Sequence, residues 1–261
     1  MLLTIDIGNT NVTIGVFERD ASGAYPYAPK ATWRVSTDHD RMPDEYGVTL
    51  MSLLPLKGID PQGIGAAALC SVVPPLTSRF VEMCRTYFKV EPLIVSAGVK
   101  TGIKVLYDTP RDVGADRIAD AAAAIRLYGG PCIVVDCGTT TVFNAITKQA
   151  EYLGGAIAPG LAMSAETLFH RTSQLRRVEL ERPPAAIGKN TVHAIQSGLV
   201  LGTAELIKGM VARFDKELGG GCKVIATGGL SALLARESGV FHDVNIDLTL
   251  AGLRIIHELN S

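Results

Sequence analysis

Two short polar turns contain the residues best suited to chemistry. Asp6-Ile-Gly-Asn-Thr-Asn11 follows the apolar run 2–5, and Asp136-Cys-Gly-Thr-Thr-Thr141 follows the apolar run 132–135. In such turns the glycine lets the backbone approach an anion, neighbouring N–H and hydroxyl groups donate hydrogen bonds, and the aspartate can hold Mg²⁺ directly or through water. Two copies of the pattern indicate a polyphosphate site, although either turn alone is equally compatible with an ordinary hairpin.

A third glycine turn, Thr227-Gly228-Gly229, follows the apolar run 223–226 and is a place where an adenosine could lie. Other nucleotide signatures fail. No G-x-x-x-x-G-K-[ST] sequence is present, and the glycines at 63 and 65 stand before a predicted strand, whereas a dinucleotide fingerprint follows one.

Asp116 is the candidate general base. It lies with Arg117 at the predicted start of a helix over residues 116–128, where free N–H groups favour negative charge and can bind an anion. A carboxylate near the γ-phosphate of a nucleotide would orient an attacking hydroxyl and accept its proton late in a loose transition state. The alternative is that Asp116 only stabilises the helix end and that Arg117 is solvated or ion-paired.

The elements that must position these residues alternate between strands and helices. Each polar turn joins two apolar runs as a hairpin, and one constant offset pairs Asp6 with Asp136, Gly8 with Gly138 and Thr10 with Thr140. Because that offset is about half the chain, we expect a duplication with lobes at 1–115 and 116–261. The periodicity predicts strands at 65–73, 92–96 and 223–229 and helices at 79–88, 116–128 and 192–214. The alternation indicates an α/β fold.

Composition favours a small-molecule partner. The net charge of -1 gives no bulk attraction to nucleic acid or to an anionic membrane. No apolar stretch approaches the roughly 20 residues of a spanning helix, and the first residues lack a signal-peptide pattern, so we expect a cytoplasmic protein. The 5 cysteines and 5 histidines show no ligand-like spacing, which predicts neither a disulfide framework nor a zinc site.

Seven segments occur in the order found in type III pantothenate kinases, and the sequence resembles that family along essentially its whole length. The segments are 6–11, 114–117, 136–139, 154–160, 187–191, 226–229 and 247–253. The resemblance implies an α/β fold of two duplicated actin-like (ribonuclease H-like) lobes with an interlobe nucleotide cleft.

The resemblance also implies a reaction: transfer of the γ-phosphate of ATP to the terminal hydroxyl of pantothenate, giving 4'-phosphopantothenate at the first step of coenzyme A biosynthesis. The implied ATP-binding residues are Asp6, Ile7, Gly8, Asn9, Thr10, Asn11, Val12, Thr13 and Thr139. The implied pantothenate contacts are Tyr107, Gly114, Ala115, Asp116, Arg117 and Thr191, with Asp116 as proton acceptor. Besides Mg²⁺, the family uses a monovalent cation, K⁺ or NH₄⁺, whose ligand Asp136 matches. Its members are homodimers with the pocket beside the partner chain, so Thr191 would act across that interface.

Five positions depart from the family pattern. Cys137, Thr140 and Val142 differ from the usual second phosphate loop, Asn144 stands where an aspartate is common, and Asp120 stands where asparagine is frequent. Asn144 can accept a hydrogen bond but brings no charge. None of these positions is assigned to catalysis.

Two other functions remain open from the sequence. A kinase of the same superfamily could phosphorylate a sugar or another small alcohol, because acceptor choice depends on the shape of the pocket. The second alternative is a regulatory protein that binds a nucleotide but does not transfer phosphate. The presence of Asp116 and of both phosphate loops favours an enzyme over this alternative.

Overall fold

The computed structural model describes all residues, 1–261, and the chain divides into two compact units. The first unit contains Met1–Ile103, Asp108–Ala123 and Asp247–Ser261, and the second contains Lys104–Tyr107 and Ala124–Ile246. These units differ from the predicted lobes, 1–115 and 116–261, chiefly because the chain returns to the first unit for its last helix. None of the helices combines the length and the apolar character that crossing a bilayer would require.

Strands and helices alternate through most of the chain. In chain order they are β1 (Leu2–Ile7), β2 (Asn11–Phe17), β3 (Ala31–Ser36), α1 (Pro43–Leu53), β4 (Ala66–Ser71), α2 (Pro74–Met83), β5 (Leu93–Ile94), β6 (Lys104–Val105), α3 (Ala115–Tyr128), β7 (Cys132–Cys137), β8 (Thr140–Ile146), β9 (Glu151–Pro159), α4 (Leu161–Arg171), α5 (Thr191–Gln196), α6 (Gly202–Glu217), β10 (Lys223–Thr227), α7 (Ser231–Ser238), β11 (Asp243–Val244) and α8 (Leu248–Leu259). Short 3₁₀ turns occupy Pro55–Lys57, Pro61–Gly63 and Pro110–Asp112, and π-helical turns occupy Cys84–Phe88 and Ser197–Leu201.

The two sheets have matching strand orders. The first runs β3-β2-β1-β4-β5, and the second contains β9-β8-β7-β10-β11 in the same sense, with β6 added beside β9. In each sheet the first hairpin is antiparallel, and its first strand pairs in parallel with the next strand inward, β4 or β10. The predicted duplication of an α/β unit is therefore confirmed in the topology.

The two hairpins differ by one residue in their turns. Asp6 lies opposite Thr13 in the first hairpin, but Asp136 lies opposite Val142 in the second. The second turn is one residue shorter, so a single numbering offset between the two hairpins holds only up to Gly138. The predicted pairing of Thr10 with Thr140 is therefore wrong. Thr139 takes the place at the tip of the second turn.

The first sheet has helices on both faces. On one face Leu3, Ile5 and Ile7 pack with the apolar side chains of α1 and α2. On the other face Leu2 and Cys70 belong to a buried cluster with residues of α3 and α8. Because side chains alternate along a strand, Asp6 points to the same face as Leu2, the face that α3 covers.

The second sheet carries its main core on the face of α4 to α7. Ile133, Val135 and Cys137 of β7 pack there with side chains from α5, α6 and α7. Asp136 lies between two of these residues in sequence and therefore points to the opposite face.

Two predicted helices differ from the structure at identifiable residues. Helix α2 begins at Pro74, before the predicted start at 79, because prolines fit the first turn of a helix, where no N–H partner is needed. The predicted helix 192–214 is one helical run, but the π-helical turn Ser197–Leu201 separates α5 from α6.

Candidate active site

The first predicted phosphate loop is the turn between β1 and β2. Gly8 N donates to Asn11 O at 3.0 Å and closes the turn, leaving Asn9 and Thr10 at its exposed tip. Thr37, the residue after β3, stabilises the loop: its hydroxyl donates to Gly8 O at 2.6 Å, and its N–H donates to Thr10 O at 3.0 Å. The loop is therefore held at its base while its tip stays accessible to an anion.

Asp6 has a thiol neighbour on the adjacent strand. Strands β1 and β4 are parallel, with Asp6 directly opposite Cys70. Cys70 Sγ donates a hydrogen bond to Asp6 Oδ1 at 3.3 Å, and Cys70 is 0% exposed. Asp6 Oδ1 therefore accepts a hydrogen bond from a buried thiol, and Asp6 itself is half-buried.

Asp116 lies in the first turn of α3 and folds back over the helix start. Its Oδ1 accepts a hydrogen bond from Arg117 N at 2.8 Å. Gly114 makes this possible, because a Cβ at that position would lie 2.3 Å from Asp116 Oδ1. Burial raises the pKa of Asp116 above its ordinary value, while Arg117 opposes that shift through its N–H and its charge. A carboxylate with a raised pKa is a stronger base than a solvated aspartate.

The first unit brings Asp6 and Asp116 into one electrostatic environment around Cys70. Burial raises the pKa of the Cys70 thiol well above its ordinary value, and the charges of Asp6, Asp116 and Asp120 raise it further. Asp120, one turn after Asp116, is buried and accepts a hydrogen bond from the Thr249 hydroxyl at 2.7 Å. The predicted phosphate-loop aspartate and the candidate base thus both act electrostatically on the same buried thiol.

The second phosphate loop is the shorter turn between β7 and β8. Gly138 N donates to Thr140 O at 3.1 Å, and Thr139 is exposed at the tip. The glycine turn after β10 packs against this loop: Gly228 has φ 87°, and a Cβ there would lie 2.3 Å from Asp136 Oδ1. Only glycine satisfies both conditions, so Asp136 is held against a backbone turn.

Tyr107 and Thr191 stand on separate elements of the second unit. β6 pairs with β9, and the pairing continues one residue further, where Leu106 N donates to Tyr152 O at 2.9 Å. The ring of the next residue, Tyr107, lies beside Gly154. Thr191 is exposed and is the first residue of α5. Asn190 caps this helix, because its Oδ1 accepts a hydrogen bond from His193 N at 2.9 Å. Thr191 is therefore placed by a helix start, and Tyr107 by the segment that follows β6.

Asn144, the departure from the family pattern, is part of a buried polar pair. It is 0% exposed and accepts a hydrogen bond from the Tyr152 hydroxyl at 2.9 Å. The Tyr152 ring also lies 6.4 Å from the Tyr107 ring, measured between centroids. Asn144 therefore acts as an acceptor beneath an aromatic pair.

Comparisons with known proteins decide the family. The sequence profile of type III pantothenate kinase matches residues 2–213. A type III pantothenate kinase from Roseiflexus sp. (strain RS-1) is 52% identical over 260 residues, which cover 100% of this chain and 99% of the relative. The chain belongs to the type III pantothenate kinase family. The resemblance stated from its motifs is confirmed.

Solved structures of proteins with much lower sequence identity share the fold of this chain. A Baf family protein from Campylobacter jejuni has a TM-score of 0.62 at 20% identity, covering 99% of this chain and 98% of the other. A 2-dehydro-3-deoxygalactonokinase-type protein from Sinorhizobium meliloti has a TM-score of 0.54 at 14% identity, covering 99% and 96%. With the matching strand orders, these likenesses confirm the predicted actin-like, duplicated fold.

Family membership leaves the role of each site residue a prediction, and one contact was not predicted from the motifs. Cys70 lies outside all seven segments, and its hydrogen bond to Asp6 joins positions 64 apart in sequence. The only signal for it is the parallel pairing of β1 with β4, which a pattern of local residues does not specify.

Proposed function

We propose that this chain transfers the γ-phosphate of ATP to the terminal hydroxyl of pantothenate, producing 4'-phosphopantothenate for coenzyme A biosynthesis. Membership of the type III pantothenate kinase family over nearly the whole chain is the observation that carries the proposal. The half-buried Asp116, close to the loop of Asp6, is the arrangement in the first unit that supports it.

The two phosphate loops would bind ATP through backbone and hydroxyl donors. In the first loop, residues 6–13 offer the exposed tip and the Thr10 and Thr13 hydroxyls; in the second, Thr139 offers a donor at the turn. Positioning and neutralisation of charge supply most of the acceleration of phosphoryl transfer, so fixed loops are suited to this task.

Asp116 would be the proton acceptor. The terminal hydroxyl of pantothenate is too weak an acid to ionise beforehand, so its proton leaves late, as the bond to phosphorus forms. The carboxylate is fixed by Arg117 N, and its raised pKa makes it a better acceptor at that stage. Tyr107, Gly114, Ala115, Arg117 and Thr191 would contact the rest of pantothenate. Its carboxylate is an anion of the kind that Arg117 attracts.

The donor sets fit two cations that support the reaction. Nowhere among the 261 residues do three histidine, cysteine or acidic side chains converge to hold a metal by themselves. Mg²⁺ does not need such a cage, because it binds through one or two carboxylates together with substrate phosphates, and Asp6 supplies a carboxylate. When bound, Mg²⁺ would neutralise charge on the phosphates. Asp136, held against the backbone of a glycine turn, offers a carboxylate oxygen of the kind that binds K⁺ or NH₄⁺.

A homodimer would cover an apolar face of β9. β6 pairs only with Glu151 and Tyr152 of this strand; beyond them Leu153 is 43% exposed and Ile157, four residues further on, is 64% exposed. Contiguous exposed apolar surface is typical of an interface. Sedimentation of Ile157→Glu should give monomers, whereas Leu56→Glu, at an even more exposed apolar position in the first unit, should sediment as the unchanged protein does. A monomeric unchanged protein would contradict the dimer.

Because the reaction consumes ATP, we propose that the protein acts in the cytoplasm.

An acceptor panel tests the proposed function. ADP release is followed with purified protein, Mg²⁺ and K⁺, comparing pantothenate with sugars and other small alcohols. We expect release that depends on pantothenate. Turnover with another acceptor alone would favour a different kinase of the same superfamily, and no turnover with any acceptor would favour a nucleotide-binding regulator.

A further inference from the structure

We propose that Cys70 is a positioning residue for Asp6: its thiol fixes the orientation of the carboxylate that meets the metal and the phosphates. The inference rests on the proposed function, because it assigns Asp6 to the metal–nucleotide group. Cys70 does not touch substrate in this account; it acts only through Asp6.

The register of the sheet makes the contact specific. Asp6 and Cys70 are direct partners in the parallel pairing of β1 with β4, so their side chains lie next to each other on the same face. The Sγ to Oδ1 distance is 3.3 Å. An ordinary thiol is neutral at pH 7, with a pKa of about 8.5, and so has a hydrogen to donate. With Oδ1 engaged by the thiol, the rotation of the carboxylate is restricted.

The second unit repeats this arrangement with a different residue. Asp136 of β7 is the direct partner of Thr227 in the parallel strand β10, as Asp6 is of Cys70 in β4. Thr227 is also buried, at 3% exposure. In both units, therefore, a small side chain that can donate a hydrogen bond lies inward of the hairpin aspartate.

Cys84 provides a matched control. It is also a buried cysteine of the first unit, but it lies in the π-helical turn after α2, within the apolar core. Replacing either cysteine by alanine removes one sulfur atom from a packed interior and leaves a similar gap. Only the change at residue 70 removes a donor from Asp6.

The test compares binding of Mg–ADP and of metal-free ADP by calorimetry for the full chain and three variants. We expect Cys70→Ala to weaken Mg–ADP binding by about three- to tenfold, the usual effect of losing one hydrogen bond, and to change metal-free ADP binding much less. Cys70→Ser keeps a donor and should bind Mg–ADP like the unchanged protein, as should Cys84→Ala. The same ranking is expected for the Mg²⁺ concentration that gives half-maximal turnover.

Several results would overturn the inference. Unchanged Mg–ADP binding by Cys70→Ala would do so, and equal losses in Cys70→Ala and Cys70→Ser would point to packing alone. Addition of Cys70→Ala to Asp6→Ala should cause no further loss, because the side chain that accepts the thiol hydrogen bond is already gone; a full additional loss would contradict a role through Asp6. If the unchanged protein fails to phosphorylate pantothenate while the binding ranking holds, the proposed acceptor fails and the role of Cys70 stands.

Discussion

The two units contain the same sheet but place different chemistry around its hairpin aspartate. In the first unit Asp6 lies on the face covered by α3, whose first turn carries Asp116. In the second unit Asp136 is instead enclosed by the glycine turn at Gly228. The turn of the second hairpin is also one residue shorter. One copy of the duplicated unit thus places a helix start with a second carboxylate on the face of its hairpin aspartate, whereas the other packs its hairpin aspartate against a backbone turn.

The largest effect should come from the candidate base of the first unit. Asp116→Asn should lower turnover by roughly 10² or more, because an amide cannot accept the proton, and should leave the fold intact. Steady-state kinetics together with circular dichroism measure both quantities. Near-normal turnover would remove Asp116 from its assigned role.

Gly228→Ala tests the enclosure of Asp136. The added Cβ would lie 2.3 Å from Asp136 Oδ1, in addition to the strain at φ 87°, so we expect a loss of activity and of about 1–3 kcal/mol in the free energy of unfolding. Gly220→Ala is the control, since Gly220 has φ 86° with nothing within 4 Å of the added Cβ. Equal effects on activity would show that backbone strain, and not contact with Asp136, is responsible.

Exchange of the monovalent cation separates the two aspartates further. If Asp136 is the cation ligand, replacing K⁺ by Na⁺ throughout the assay should strongly reduce turnover, and Asp136→Asn should reduce turnover and abolish the remaining difference between the two salts. Turnover that is indifferent to the salt in the unchanged protein would argue against a cation at Asp136.

The pKa of Asp116 predicts how stability depends on pH. Since burial raises this pKa, ionisation costs the folded state more than the unfolded one, and stability is lost as pH rises from about 3.8 through the raised value. Asp116→Asn should therefore unfold at a higher temperature than the unchanged protein near pH 7, with the difference shrinking as pH falls through that window. A difference that grows on acidification would contradict the shift.

The smallest effects should come from two buried tyrosine hydroxyls, one in each unit. Tyr152→Phe removes a donor from Asn144, which water does not reach, and should cost about 1–3 kcal/mol in the free energy of unfolding. The Tyr46 hydroxyl donates to Asp38 O at 3.0 Å and accepts from Asp38 N at 3.3 Å. Because Asp38 is exposed, water can replace both bonds, and Tyr46→Phe should cost about 1 kcal/mol or less. Denaturant unfolding would reveal the order, and a reversed order would contradict this account of burial.

Local patterns were sufficient to predict much of this molecule. The hairpins, their glycines and the start of α3 are encoded within a few consecutive residues, so Asp6, Asp136 and Asp116 could be selected as candidates before the structure was known. The start of α2 was missed because Pro74 and Pro75 indicate a strand end as readily as a first helical turn. The contact between Asp6 and Cys70, and the packing of α8 with β1 and β4, depend on pairing over long sequence separations, which periodicity does not determine.

The most direct test of the central claim is the identity of the product. Phosphorus NMR of the product formed from ATP and pantothenate should show a phosphomonoester coupled to the protons of the terminal CH₂ group, with Asp116→Asn producing it at a greatly reduced rate. A phosphate on the carboxyl end of pantothenate, or ADP released without any phosphorylated pantothenate, would contradict the proposed reaction.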